Sequence, residues 1–230
     1  MPYRRTPAAA QPPYLHEDYR STHKRAPARP PLRLEHTFSE ITGVTFASGW
    51  AGADEVDLTR QGKGEPLGER IIVTGRLLDD AGRPQPKTLV ELWQCNAAGR
   101  YLHEKDQHDA PIDPNFIGAG RALTNERGEY RFLTVKPGAY PWRNTNNAWR
   151  PAHIHFSLFG PAYATRLITQ MYFPGDPLLA YDPIFNSVPD EGARRRMIAS
   201  YDPDLSQPEY ALGYRFDIVL RGRDSTPMEQ

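Results

Sequence analysis

The run WRPAHIHFSLFG, residues 149–160, sets His153 and His155 two positions apart in an otherwise apolar stretch. On a β-strand, residues i and i+2 project from one face, so both imidazoles point together and Ile154, Phe156 and Leu158 cover the opposite face. Two adjacent imidazoles make half of a metal site. The plainer alternative is a hydrogen-bonded histidine pair, in the core or on the surface. No histidine follows His155 and the next acid is Asp176, so a His pair completed by a nearby Glu and a later His is not available. His16 and Asp18 could open a triad of two His and one carboxylate, but they lie in a Pro-rich stretch ahead of any strand. His103 and His108, with Glu104 and Asp106, could complete a four-ligand site from a long loop, where a hydrated face is the simpler reading.

Tyrosine is the remaining ligand class. A free phenol has a pKa of about 10, so weakly acidic metals bind it poorly at neutral pH. Ferric iron is a hard, strong Lewis acid and can deprotonate a coordinated phenol. The chain has 12 tyrosines. Tyr101 in GRYLHEKD and Tyr140 in KPGAYPW are attractive sources, one at the start of the long loop and one in a Pro-Gly-braced turn. Spacing does not select these two from the rest.

The elements that must hold such groups read as strands. RIIVTGRLLD (70–79), TLVELWQC (88–95), GRALT (120–124), EYRFLTV (129–135), PAHIHFSLFG, TRLITQMYF (165–173) and YRFDIVLRG (214–222) are rich in β-branched and apolar residues and end at turn signals. GRALT and EYRFLTV, joined by NERG, predict a hairpin. A short helix is expected over 189–200, opened by Pro and acids. Strands without intervening helices of 10–15 residues predict an all-β fold, a β-sandwich of mixed strands with long loops. The loop from about 102 to 119 exceeds the usual connection length, as functional loops often do.

The 23 prolines are about twice average usage and argue against long helices. Residues 1–65 are expected to form an extended Pro-rich N-terminal arm, ordered only by packing on something else, followed by an irregular segment with turn signals such as SGWAGAD. Residues 66–225 would be the sandwich, in a single domain overall. Basic and acidic residues balance at 28 each, so no global field favours nucleic acid or an anionic membrane. The locally basic arm is read as solvated. Cys95 is the sole cysteine, which excludes an internal disulfide and a Cys-rich zinc site. The opening residues lack a signal-peptide h-region, and no run reaches the roughly 18 apolar residues of a membrane span. A soluble, cytoplasmic protein is expected.

Taken in order, LVELWQCNAAGRY, KPGAYPWRNTNNAWRPAHIHF and TRLITQMYFPGDP resemble the intradiol ring-cleaving dioxygenases over about residues 40–222, and more narrowly their protocatechuate branch. The resemblance implies a mixed-strand sandwich holding non-haem Fe(III). The implied ligands are Tyr101, Tyr140, His153 and His155, with Tyr140 and His155 axial and Tyr101 and His153 equatorial. It implies that a catechol-type substrate displaces Tyr140 and chelates iron. Ring opening by O2 between the two oxygenated carbons would give 3-carboxy-cis,cis-muconate, a step of aromatic-compound (β-ketoadipate) catabolism. Arg150 would stabilise the anionic or ketonised substrate, and Gln170 would lie beside Arg150 and the O2 pocket. Tyr19, Trp142 and Ile184 would contact substrate, Tyr19 at its carboxylate. Trp93 and Trp149 are expected to be packing residues, and Cys95 has no functional reading.

The resemblance also implies a partner: a homologous α subunit without the iron ligands, completing the pocket and assembling into αβ multimers. Catechol- and hydroxyquinol-cleaving relatives carry a helical N-terminal region, for which residues 1–65 have too many prolines and no 3.6 periodicity. A transthyretin-like binding module would not need the Tyr/Tyr/His/His set, and zinc hydrolases rarely use two tyrosines.

Overall fold

The computed structural model describes residues 6–32, 53–143, 149–159 and 166–229. Most of the SGWAGAD segment and the Gly160–Pro161 end of the histidine strand lie outside them. The strands are β1 (Arg70–Leu78), β2 (Leu89–Trp93), β3 (Ala119–Leu123), β4 (Glu129–Val135), β5 (Tyr140–Pro141), β6 (Trp149–Arg150), β7 (His153–Phe159), β8 (Arg166–Tyr172), β9 (Ser200–Tyr201), β10 (Leu212–Arg215) and β11 (Ile218–Val219). One sheet runs β3-β2-β7-β8. In the other, β1 pairs antiparallel with β4 on one side and parallel with β10 and then β11, and β9 extends the sheet beyond β10. The expected all-β sandwich with mixed strand directions is what forms.

Alternation builds the core between the sheets. Ile71, Val73 and Leu77 of β1 and Phe132 of β4 meet Val90 and Leu92 of β2 and Ile154, Phe156 and Leu158 of β7. The inner face of β7 is therefore the one expected from strand parity. Its outer face is buried as well, along the whole strand.

Three expectations are corrected. GRALT and EYRFLTV do not form a hairpin. The NERG turn closes locally, with Asn125 N donating to Glu129 O at 3.0 Å, but its arms enter different sheets. Each arm has a long partner of its own: β4 runs from Arg70↔Val135 to Arg76↔Glu129 against β1, and β3 from Leu89↔Leu123 to Trp93↔Ala119 against β2. Alternating apolar residues suit either pairing, so the pattern does not distinguish them. The last strand is split at Phe216–Asp217, where Asp217 accepts Arg76 N at 2.8 Å, while β10 and β11 keep one register on β1. The expected helix shrinks to Glu191–Arg195, capped by Asp190, whose side chain accepts Ala193 N at 2.6 Å. Residues 197–199 leave it to bond Tyr172 at the end of β8.

The described part of the arm, residues 6–32, packs on its own chain. Ala10 is buried in a cluster with Tyr172, Phe185, Val188 and Met197. Ala9 O accepts Asp190 N at 2.9 Å and Arg20 donates to Arg143 O at 3.3 Å. Among the described residues no helix is long and apolar enough to cross a membrane.

Gly75 lets β1 and the β10–β11 junction approach: a Cβ there would lie 1.8 Å from Phe216 O. Gly75→Ala should therefore destabilise the protein by about 3 kcal/mol, the upper range for overpacking, measured by urea unfolding. A loss within about 0.5 kcal/mol, the range of neutral surface changes, would contradict this packing.

Candidate metal centre

The outer face of β7 carries His153 and His155, with ring centroids 4.9 Å apart. The sheet register sets their neighbours. Tyr172 lies opposite His153, and Gln170 and Trp93 lie opposite His155. The short β5–β6 ladder puts Tyr140 opposite Arg150. Tyr140 Oη lies 3.3 Å from His153 Nε2, and the Tyr101 ring meets the Tyr140 ring edge-on at 5.5 Å. The four expected ligands thus converge from β5, β7 and the loop after β2.

Two loops must touch for the tyrosines to meet. Gly138 N donates to Asn96 O at 3.0 Å, and the buried Cys95 thiol donates to Gly138 O at 3.4 Å. Burial pushes Cys95 up to about 12, so it stays a neutral brace. A Cβ on Gly99, at φ +78°, would meet Ala139 O at 2.3 Å, and one on Gly138 would meet Ala97 O at 2.5 Å. The loop histidines do not join the pair. Asp106 accepts Tyr101 N at 2.7 Å and His108 N at 2.8 Å, and His108 Nδ1 bonds Gly99 O, so these residues shape the loop that carries Tyr101. Among the described residues no group of three or more His, Cys, Asp or Glu could hold a metal; this removes the schemes built on His16 and Asp18 or on the loop acids.

Both imidazoles have Nδ1 occupied. His153 Nδ1 bonds Pro151 O at 2.8 Å, and His155 Nδ1 bonds the Glu229 carboxylate at 3.0 Å. This arrangement leaves Nε2 to act as the lone-pair donor, as in metal-bound histidines. Burial, then the Arg150 charge, then His155 hold His153 well below the ordinary histidine range, hence neutral. Burial pushes both Tyr101 and Tyr140 up, although Arg150 opposes the shift in each. The Tyr101 hydroxyl is buried beside that of Tyr140 and makes no well-formed hydrogen bond. A buried polar atom in that state needs an explanation, and two phenols with two imidazoles suit a hard, strongly Lewis-acidic ion.

Arg150 is 2% exposed. It pairs with buried Asp182 at 2.8 Å, donates to Gln170 Oε1 at 2.6 Å and Tyr172 Oη at 3.0 Å, and lies 3.1 Å from His153 Nε2. Burial lowers its pKa, but Asp182, Tyr172 and Tyr140 together more than offset that, so it stays charged. Its guanidinium lies 5.2 Å from the Trp142 ring centroid. Tyr19, buried, packs on Trp142 at 5.1 Å and carries Arg25 over its own ring at 4.6 Å. Ile184 is buried on the helix Pro183–Asn186, which Asp182 caps. The arm residue, Trp142 and Arg150 therefore form one chain of contacts, which Ile184 adjoins through Asp182.

The two tryptophans expected to pack do so on histidine rings, Trp149 edge-on to His108 at 6.2 Å. Trp93 stacks on His155 at 4.9 Å and 5°, and Trp149 is 44% exposed. Sequence reasoning missed Asp182, Tyr172 and Glu229. Tyr172 had a signal, since it shares a strand face with Gln170. Asp182 opens a D-P-I helix start, which marks a cap but not an ion pair. Glu229 had none.

A dioxygenase family model matches residues 41–222, and a model of the protocatechuate 3,4-dioxygenase beta subunit N terminus matches residues 3–37. The chain belongs to the intradiol ring-cleavage dioxygenase family. Non-haem iron is the metal of intradiol dioxygenases. The protocatechuate 3,4-dioxygenase beta chain of Burkholderia cepacia is 59% identical over 223 residues, covering 96% of this chain and 94% of that one. The alpha chain from the same organism is 30% identical over 202 residues, covering 84% of this chain and 96% of that one. The solved 3-chlorocatechol 1,2-dioxygenase of Rhodococcus opacus 1CP superposes with a TM-score of 0.57 at 24% identity, over 77% of this chain and 69% of that one, a likeness of fold. Within this intradiol dioxygenase, removing one partner of the buried Arg150–Asp182 pair strands a charge. Asp182→Ala should destabilise the metal-free protein by about 3–5 kcal/mol in denaturant titration. A loss below about 1 kcal/mol, typical of an exposed pair, would show that Asp182 is not the main counter-charge.

Proposed function

We propose that this chain is the iron-binding subunit of a protocatechuate 3,4-dioxygenase, opening 3,4-dihydroxybenzoate with O2 to 3-carboxy-cis,cis-muconate in aromatic-compound catabolism. The observation that carries the reading is the convergence of Tyr101, Tyr140, His153 and His155 in one cluster, where the Tyr101 hydroxyl makes no well-formed hydrogen bond. In this reading these four residues hold Fe(III). The ion would ionise the phenols and a bound diol by Lewis acidity and draw electron density from the ring, making it reactive to O2.

The rest is the work of this chain's side chains. Arg150 is a fixed cation, held by Asp182 and Gln170, beside the place where oxygen charge develops. Burial raises Tyr140, so its phenolate is a strong base, suited to take a proton from a diol hydroxyl. Trp142 and Tyr19 give an aromatic wall, and Arg25 over Tyr19 supplies the positive charge that a ring carboxylate would seek. Ile184, buried beside Asp182, would line the substrate cavity in this reading. Residues 1–65 serve as an arm and interface segment for a homologous α-type partner, in a multimer of αβ units. The 66–225 sandwich then carries the catalytic groups, with Glu229 added from beyond its end.

The test is O2 uptake with protocatechuate and with catechol, using the iron-loaded chain with and without its partner. Protocatechuate should be consumed faster and yield the carboxymuconate. Purified protein should be burgundy-red from the ferric phenolates, and Tyr140→Phe should weaken or shift that band. A preparation that stays colourless after iron loading would sink the reading; equal turnover of catechol would move it to another branch of the family.

A further inference from the structure

The dioxygenase match ends at residue 222, yet the segment that follows reaches the candidate metal centre. It is tied down at successive residues. Thr226 N donates to Val219 O at 2.9 Å, and Val219 N donates back to the Thr226 hydroxyl at 3.0 Å. The Thr169 hydroxyl on β8 donates to Pro227 O at 2.8 Å. Met228 N donates to Gln11 Oε1 of the arm at 2.8 Å, and Glu229 N donates to Ile168 O at 2.7 Å. These bonds carry the Glu229 side chain along β8 to the outer face of β7. Its carboxylate lies 3.0 Å from His155 Nδ1.

We propose that Glu229 is a positioning residue of the metal centre, accepting the Nδ1 proton of His155 so that Nε2 is kept as the metal-donor nitrogen. An imidazole carries one proton and two possible donor atoms, and its partner decides which nitrogen stays bare. Trp93, stacked on His155 within 5° of parallel, fixes the plane of the ring. Glu229 fixes which edge faces inward. His153 receives the same service from a backbone carbonyl, Pro151 O. A carboxylate differs in making the ring a more electron-rich ligand. The inference rests on the reading of His155 as a ligand of iron.

The experiment uses the full chain, co-expressed with its α-type partner, as wild type, Glu229→Gln and Glu229→Ala. Gln keeps an acceptor oxygen for Nδ1–H; Ala removes it but leaves the main-chain bonds of residues 226–229. The readouts are iron content, the rate of iron release to a chelator, the visible band, and the thermal midpoint of the metal-free protein. Glu229→Ala should release iron about 10–100-fold faster, the usual effect of losing such a partner. Glu229→Gln should fall between, with the band shifted in both and the metal-free midpoint little changed. Unchanged release and band in Glu229→Ala overturn the proposal. So does equally fast release from Ala and Gln with a lowered midpoint in both, which would assign Glu229 to packing of its segment. If wild type itself holds no iron and shows no visible band, the ferric reading fails and takes this inference with it, an outcome distinct from the other two.

Discussion

A buried positive charge governs the centre of this molecule. The Arg150 guanidinium is 2% exposed, and a cation taken out of water to that extent is tolerable only when paired and fully hydrogen-bonded. Meeting that demand draws four parts of the chain together. Asp182 comes from the cap of a short helix, Gln170 and Tyr172 from β8, and His153 from β7. The guanidinium is planar and presents its donors in a fixed fork, so each partner is held in direction as well as distance. The same charge helps keep His153 neutral.

The sandwich makes this arrangement affordable by separating tasks between the faces of one strand. The inner face of β7 fills the space between the sheets with Ile154, Phe156 and Leu158. The outer face turns both histidines away from that core into a polar cluster which other segments then roof. The arm contributes Tyr19 and Gln11, the loop after β2 contributes Tyr101, and residues 225–229 contribute Glu229. The tyrosine loops approach as closely as they do because Gly99 and Gly138 have no Cβ to collide with the facing backbone. The centre is thus supported by the rigid sheet on one side and by irregular backbone on the other, the usual division between scaffold and functional loop.

Much of this was legible in the chain. Strand alternation located most of the strands to within a few residues. The two-residue step from His153 to His155 settled that their side chains share a face, because pleating has a period of two. Motif order pointed to Tyr101, Tyr140, Arg150 and Gln170 together, and the structure does bring these residues into one cluster. The failures have a common cause. Alternation says which side of a strand is apolar but not which strand lies beside it, so β3 and β4 were paired with each other instead of with β2 and β1. Trp93 and Trp149 do pack, as expected, but the sequence did not say that their partners are imidazoles, His155 and His108.

Local chemistry was therefore written in the order of residues: strand period, the histidine pair, the Pro-Gly turn before Tyr140, and the absence of a second cysteine. Long-range partnership was not. Asp182 is 32 residues from Arg150, and Glu229 is 74 residues from His155. No period or turn signal spans such distances. A buried charge or a ring nitrogen selects its partner by proximity in the folded chain, and that proximity exists only once the sheets have stacked and the arm and the final segment have closed over β7 and β8.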